Sequence, residues 1–203
     1  MKFLRVLMVG LFFVVGLTEG AQAEIRTIPM GHEQSRLTLV SQDDNAMVYD
    51  VEVGNLTAMD VETKEGTFTR IIIPDFYAST REGWPQLPMM NRLIEIPYGA
   101  GARVEVVSSS SRTVNLADYG ITNQIFPAQP SMPKSADPAS WPFVIDRSAY
   151  AGGRVAQELA GIVDLGTLRS AHMGRVEVSP VEYLPTQNRI VVQDHLRLRI
   201  VFD

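Results

Sequence analysis

Apolar and polar side chains alternate along the last run of residues, and this pattern constrains the fold most strongly. The apolar set comprises Leu196, Leu198, Ile200 and Phe202, and the polar set comprises His195, Arg197 and Arg199. A period of two places successive side chains on opposite faces of an extended chain. The pattern therefore predicts a C-terminal β-strand with one buried and one wet face.

Shorter runs of the same kind precede it, separated by glycine, proline and serine clusters. They are Arg36–Val40, Met47–Val53, Phe68–Ile73, Arg92–Ile96, Arg103–Val107, Arg175–Val178 and Arg189–Val192. Many short strands with turn residues between them favour an antiparallel β-sandwich. The glycines of Gly99–Gly101 predict a hairpin turn, and the segments Leu116–Tyr119 and Val155–Leu159 could each form about one helical turn.

The first 23 residues have the pattern of a secretory signal peptide. Lys2 and Arg5 precede an apolar run, Val6–Leu17, that is too short to span a bilayer of about 30 Å. The small residues of Ala21-Gln22-Ala23 predict cleavage between Ala23 and Glu24. The expected product is one exported domain, residues 24–203, with no stable membrane span. Periplasm, outer surface and medium all fit this expectation.

Several classes of function lack support in the sequence. The chain has no cysteine, so it offers no thiol nucleophile and no thiolate metal site. The spacing of its histidines, His32, His172 and His195, matches neither a metal site nor a nucleophile motif. We expect no cofactor, and a formal net charge of −5 argues against a nucleic-acid partner.

The longest irregular stretch, Phe126–Pro142, contains five prolines. They are Pro127, Pro130, Pro133, Pro138 and Pro142. Each proline lacks a backbone N–H, and a loop of this length in a compact domain is usually functional or disordered.

Four stretches in order resemble the propeptide domain of gingipain-type cysteine peptidases, peptidase family C25. They are Gly83–Pro88 with Ile96–Ala100, then Pro127–Lys134, Leu165–Arg169 and Gly174–Pro185 with the final strand. The likeness runs over residues 83–203 and is looser over 24–82.

The resemblance implies an antiparallel, jelly-roll-like β-sandwich with a long irregular inhibitory loop and little helix. It implies that the domain is the N-terminal part of a zymogen, acting as intramolecular chaperone and as inhibitor that maintains latency. The partner would be a C25 catalytic domain, in cis or in trans. That domain would supply the catalytic Cys and His, so this chain would not itself be an enzyme.

In this family a basic residue on a propeptide loop fills the specificity pocket of the peptidase. The corresponding region here is residues 134–154, and its basic residues are Lys134, Arg147 and Arg154. We favour Arg147 first and Arg154 second, because an arginine can pair bidentately with an acidic pocket. The aromatic residues Trp84, Trp141, Phe143 and Tyr150 are candidates for apolar contact with the partner, although Trp84 is expected in the core.

Two other functions remain open from the residues alone. A carbohydrate-binding or adhesion β-sandwich of an exported surface protein would carry a row of exposed aromatic side chains on one face. A structural accessory domain would need no such row and no inhibitory loop.

Overall fold

A computed structural model of the protein describes residues 24–137 and 140–203. The predicted signal peptide, including Ala23 of its cleavage site, lies outside the described residues, and Glu24 is the first described residue and is exposed. The strands are β1 (Ile25–Ile28), β2 (Arg36–Gln42), β3 (Ala46–Glu52), β4 (Leu56–Thr63), β5 (Gly66–Ile72), β6 (Tyr77–Ala78), β7 (Pro88–Ile96), β8 (Ala102–Asn115), β9 (Ala160–Leu168), β10 (Ala171–Val178), β11 (Val181–Leu184) and β12 (Arg189–Phe202). The helix α1 (Arg147–Ala151) and two short 3₁₀ turns, Leu116–Tyr119 and Pro185–Gln187, complete the list for this part of the chain.

The strands of the described residues form three sheets. One sheet has the order β1-β4-β5, and a second has the order β6-β7-β10-β9. The third has the order β11-β12-β3-β2, with β8 pairing along the other edge of β12. The ladders between these strands are antiparallel. The predicted antiparallel β fold is confirmed.

One hydrophobic core lies between the second and third sheets. The even-numbered side chains of β12 from Leu196 onwards enter this core, where Leu196, Leu198 and Ile200 are at most 1% exposed. The side chains of Arg197 and Arg199 on the other face are 44% and 46% exposed. The buried side chains of Leu196, Leu198 and Ile200 meet apolar residues of β7, β9 and β10 from the facing sheet. The alternation seen in the sequence therefore marks the central strand of the sandwich.

A second core lies beneath the first sheet. Side chains of β1, β4 and β5 pack there against Ile190 and Val192, which are at the start of β12 and fully buried. The helix α1 contributes Tyr150, whose hydroxyl donates a hydrogen bond of 2.7 Å to the carbonyl oxygen of Ile125. Burial raises the pKa of the Tyr150 phenol well above its usual value, so this group stays neutral. β12 thus passes through both cores and holds them together.

Two local predictions were wrong. Gly99–Gly101 does not close a hairpin, because it leads from β7 in the second sheet to β8 in the third. Val155–Leu159 is not helical, because Val155 pairs with Tyr183 through backbone hydrogen bonds of 2.7 and 2.9 Å. The turn at Leu116–Tyr119 is a 3₁₀ helix, as predicted. The helices in the described part of the chain are too short or too polar to cross a membrane.

Candidate functional site

The irregular segment at residues 130–143, here called the proline-rich loop, leaves the body of the domain after Gln129 and returns at Val144. Its described parts, 130–137 and 140–143, contain no strand or helix. The residues that hold its two ends, here called the loop base, are contributed by the segments 83–84, 126–129 and 144–146. The prediction of a long irregular stretch is confirmed over the described residues.

The segment Gly83-Trp84 connects the two ends of the loop. The backbone of Ala128 exchanges hydrogen bonds of 2.8 Å with Gly83 and Trp84, and Asp146 N donates one of 2.9 Å to the carbonyl of Gly83. Gly83 has a φ of +76°, and a Cβ atom there would lie 2.8 Å from Asp146 N. Both the left-handed backbone and this close approach require glycine.

Trp84 fixes the side of the loop base that leads into α1. Its indole Nε1 donates a 3.0 Å hydrogen bond to Asp146 Oδ2. Asp146 also caps α1, since its Oδ1 accepts hydrogen bonds from the hydroxyl and the backbone N–H of Ser148. The Ser148 hydroxyl, followed by the Ser148 N–H and the Trp84 indole, lowers the pKa of Asp146 below its ordinary value. The guanidinium of Arg81 lies 3.3 Å from the centre of the Trp84 ring. Trp84 is therefore part of the scaffold, as expected.

Three phenylalanines pack beneath the loop base. The ring of Phe143, from the returning end of the loop, lies 5.5 Å from the ring of Phe68 and 6.0 Å from that of Phe126. Phe68 and Phe126 meet edge to face at 6.3 Å. Such spacings are typical of favourable aromatic pairs. Phe143, one of the candidate partner contacts, is thus bound to its own domain on at least one side.

The side-chain amide of Gln129 bridges the two ends of the loop. Its Nε2 donates a 2.8 Å hydrogen bond to the carbonyl oxygen of Val144, and its Oε1 accepts a 2.9 Å bond from the N–H of the same residue. Sequence reasoning placed Gln129 within a family motif without giving it a role, because nothing in the sequence shows what its amide faces.

The hairpin between β4 and β5 supports the returning end of the loop. Lys64 Nζ donates a 2.7 Å hydrogen bond to the carbonyl oxygen of Trp141. Lys64, Gln129, Met132, Trp141 and Phe143 line an open cavity at this place. Lys64 was not predicted, and its distance from residue 141 in the sequence explains why.

The three basic candidates occupy different settings. Arg147 is the first residue of α1; its side chain is 78% exposed, and its Nη2 lies 3.7 Å from Glu65 Oε2. Arg154 Nη2 lies 2.5 Å from Glu182 Oε1, in an ion pair whose carboxylate is only 18% exposed. Lys134 is exposed on a turn of the proline-rich loop and makes no ion pair with the residues that the structure describes.

The described surface gives no row of exposed aromatic side chains. The strongly exposed tyrosines are far apart along β7, since Tyr77 pairs with Met89 near its start and Tyr98 follows its end. Among the described residues, no cluster of three or more His, Asp or Glu side chains is arranged to hold a metal ion. The loop and its base are therefore the main candidate for a functional site.

Comparison with known proteins gives consistent matches to gingipains. The model of the family Propeptide_C25 matches residues 30–203. Lys-gingipain of Porphyromonas gingivalis is 32% identical over 184 residues, which are 90% of this chain. Lys-gingipain HG66 of the same species is 36% identical over 143 residues, or 70% of the chain. The chain spans only 11% of the length of that first Lys-gingipain and 8% of the second.

Two solved structures share the fold. One, described as giving insight into the zymogenic latency of gingipain K from P. gingivalis, superposes with a TM-score of 0.83 and 31% identity, covering 89% of this chain and 99% of that one. A complex of the pro- and mature domains of RgpB from the same species matches with a TM-score of 0.70 and 21% identity, covering 84% and 85%. The family match covers most of the sequence, including the sandwich and the proline-rich loop. This chain belongs to the family of C25 peptidase propeptides.

Proposed function

We propose that this chain is the N-terminal prodomain of an exported gingipain-like cysteine peptidase and keeps that peptidase latent by blocking its active site. Membership of the propeptide family supports this role, as does the likeness to a domain described in terms of zymogenic latency. The same domain would assist folding of the peptidase as an intramolecular chaperone. The partner is a C25 catalytic domain, joined in cis or bound in trans.

One observation carries the proposal: an open loop is held at both ends by a well-packed base. An inhibitor of a peptidase must present a segment to the cleft without losing its own fold. Anchoring the ends of that segment in advance reduces the conformational entropy lost on binding. Hydrogen bonds at Gly83, Trp84 and Gln129 anchor the ends here.

A basic side chain from this region is proposed to enter the specificity pocket of the peptidase. The sequence favours Arg147, but the ion pairs of Arg147 and Arg154 with carboxylates of their own domain favour Lys134. Lys134 is exposed on the loop itself and would reach a cleft without breaking a contact of the described residues. Lys134 is therefore the first candidate anchor, with Arg147 and Arg154 as alternatives.

Export through a signal peptide at residues 1–23, with cleavage between Ala23 and Glu24, completes the proposal. The expected location is the periplasm, the outer surface or the medium. N-terminal sequencing of the protein recovered from these fractions tests the cleavage site, and a mature N-terminus other than Glu24 would contradict it.

The inhibition itself is tested with purified residues 24–203 and an active C25 peptidase. We expect competitive inhibition at micromolar concentration or below. No inhibition at that concentration, with the domain folded by circular dichroism, would show that the proposed function is wrong.

The choice of anchor is tested separately. If Arg147 is the anchor, Arg147→Ala raises the inhibition constant at least about tenfold, which corresponds to about 1.4 kcal/mol. An unchanged constant rejects Arg147 and leaves the inhibitory role intact.

A further inference from the structure

We propose that Gln129 is a positioning residue that holds the proline-rich loop in its inhibitory form by closing the loop at Val144. The inference rests on the proposed inhibitory function and names the side chain that controls it. Its two hydrogen bonds, 2.8 Å to the carbonyl oxygen and 2.9 Å from the N–H, satisfy both backbone groups of Val144. The side chain of Gln129 thus gives Val144 the two backbone hydrogen bonds that a neighbouring β-strand would otherwise provide.

The orientation of the amide is fixed by its surroundings. Gln129 Nε2 also lies 3.0 Å from the carbonyl oxygen of Pro127, so both amide hydrogens face carbonyl oxygens. The opposite orientation would place Oε1 against two acceptors and the NH₂ group against the N–H of Val144. Only a side chain with a donor and an acceptor on one planar group fits this place.

The backbone on either side is already paired, and Gln129 extends that pairing outwards. Ala128 bonds to Gly83 and Trp84, and Asp146 bonds to Gly83, so the two ends lie on the same short segment. The bonds of Gln129 to Val144 are partly buried. Partly buried backbone groups that lose their partners are unfavourable, so loss of the amide would open the loop one residue further on each side.

An open base would leave the loop more conformations to lose on binding. Pro130 follows Gln129 directly, and Pro142 lies two residues before Val144. Their fixed φ angles extend the order of the base into the loop. Removing the bridge is therefore expected to weaken inhibition more than it weakens the fold.

The first test replaces Gln129 by methionine, which keeps the length of the side chain but removes both hydrogen bonds. We expect the inhibition constant to rise about tenfold, because both hydrogen bonds that close the loop at Val144 are lost. In the free domain, exchange of the Val144 amide hydrogen should accelerate about tenfold, while amides of β12 keep their rates. Gln86→Met is the matched control, because the Gln86 amide makes one long bond of 3.4 Å to the carbonyl of Ser79.

The second test uses Gln129→Glu to separate positioning from a general structural role. An ionised carboxylate only accepts, and it would repel the carbonyl of Val144, whereas a neutral carboxyl can donate one bond and accept another. Burial raises the pKa of a carboxyl. Binding to a peptidase with its catalytic Cys replaced by Ala should therefore recover in Gln129→Glu between about pH 7.5 and about pH 5, while the defect of Gln129→Met stays constant. Lys64 lines the same cavity, and its positive charge favours the ionised carboxylate in Gln129→Glu, so the recovery is expected towards the lower end of this pH range.

The outcomes distinguish the two claims. If wild type inhibits and Gln129→Met inhibits equally well, or if Gln129→Glu shows no recovery at lower pH, the inference is overturned. Accelerated exchange throughout the domain in Gln129→Met would also overturn it, because the role would then be one of general stability. If wild type fails to inhibit while Val144 exchange still depends on Gln129, the bridge stands and the proposed function fails.

Discussion

The loop base and the part of the proline-rich loop around Lys134, here called the loop tip, differ in how many contacts hold them. At the base, Gln129, Asp146 and Gly83 make hydrogen bonds across the loop, and Phe126 is 5% exposed among aromatic neighbours. At the tip, Lys134 is exposed and makes no ion pair within the described residues. The base is packed and hydrogen-bonded like the interior of the domain, whereas the tip is exposed and available for contact with a partner.

This difference implies a division of labour between stability and recognition. Changes at the base should affect both the fold and the inhibition, because Trp84 and Ile145 of the base pack against the core beneath the first sheet. Changes at the tip should affect inhibition alone. Four substitutions, beginning with the one that should have the strongest effect, test whether the base and the tip differ in this way.

Phe126→Ala should destabilise the domain by about 3–5 kcal/mol and weaken inhibition. The substitution removes a buried ring that contacts Phe68 and Phe143 beneath the loop. Urea unfolding and inhibition constants measure the two effects. Phe202→Ala is the control, since Phe202 is 8% exposed in the other core. If Phe202→Ala weakens inhibition as much as Phe126→Ala at equal loss of stability, the base has no special role.

Lys134→Ala should weaken inhibition by about 2–4 kcal/mol, the range of an anchor residue in an interface. Its exposed side chain has no described ion pair to lose, so the unfolding midpoint should stay unchanged. Lys134→Arg serves as the control for charge and tests whether the pocket distinguishes lysine from arginine. An unaltered inhibition constant for Lys134→Ala would show that Lys134 does not contribute to binding of the peptidase.

Gly83→Ala should lower the free energy of unfolding by more than about 1 kcal/mol. The added Cβ would meet Asp146 N at 2.8 Å, in addition to the cost of a φ of +76°. Gly99→Ala measures the cost of the left-handed backbone conformation alone, because Gly99 has a φ of +78° and no atom lies within 4 Å of its Cβ position. Equal losses in the two variants would mean that the close approach at the base contributes nothing.

Arg154→Ala should have the smallest effect, about 0–1 kcal/mol on stability. Arg154 is 63% exposed and pairs with Glu182 at the surface, away from the tip. The inhibition constant of the Arg154→Ala domain should differ from that of the wild type by less than about twofold. A tenfold increase would identify Arg154 as the anchor and place the contact with the peptidase outside the proline-rich loop.

The part of the fold that the sequence predicts best is the part where one face of a strand is buried. The second half of β12 is the clearest case, because Leu196, Leu198, Ile200 and Phe202 are buried in the sandwich. β4 and β9 were missed because their apolar and polar residues do not alternate cleanly, as in Leu56–Thr63. β8 extends through the serine tract to Asn115 because β12 supplies a partner along its whole length, and this is information that local sequence does not contain.

For the candidate site, the prolines predicted an irregular loop, but not what closes it. Gln129 bonds to Val144 and Lys64 bonds to Trp141. Both contacts are made by a side chain to a residue far away in the sequence, so no local pattern reveals them. The sequence favoured Arg147 from its chemistry. The ion pair of Arg147 with Glu65 depends on the turn between β4 and β5 lying near α1, and the local sequence does not show this proximity.

If the loop occupies the active-site cleft of a C25 peptidase, it should protect the catalytic thiol from chemical modification. Alkylation of that cysteine by iodoacetamide is followed with and without saturating domain, residues 24–203. We expect alkylation to slow in proportion to the bound fraction, and Lys134→Ala at the same concentration to give much less protection. Alkylation at the unbound rate while the domain is demonstrably bound would show that the loop does not occupy the cleft.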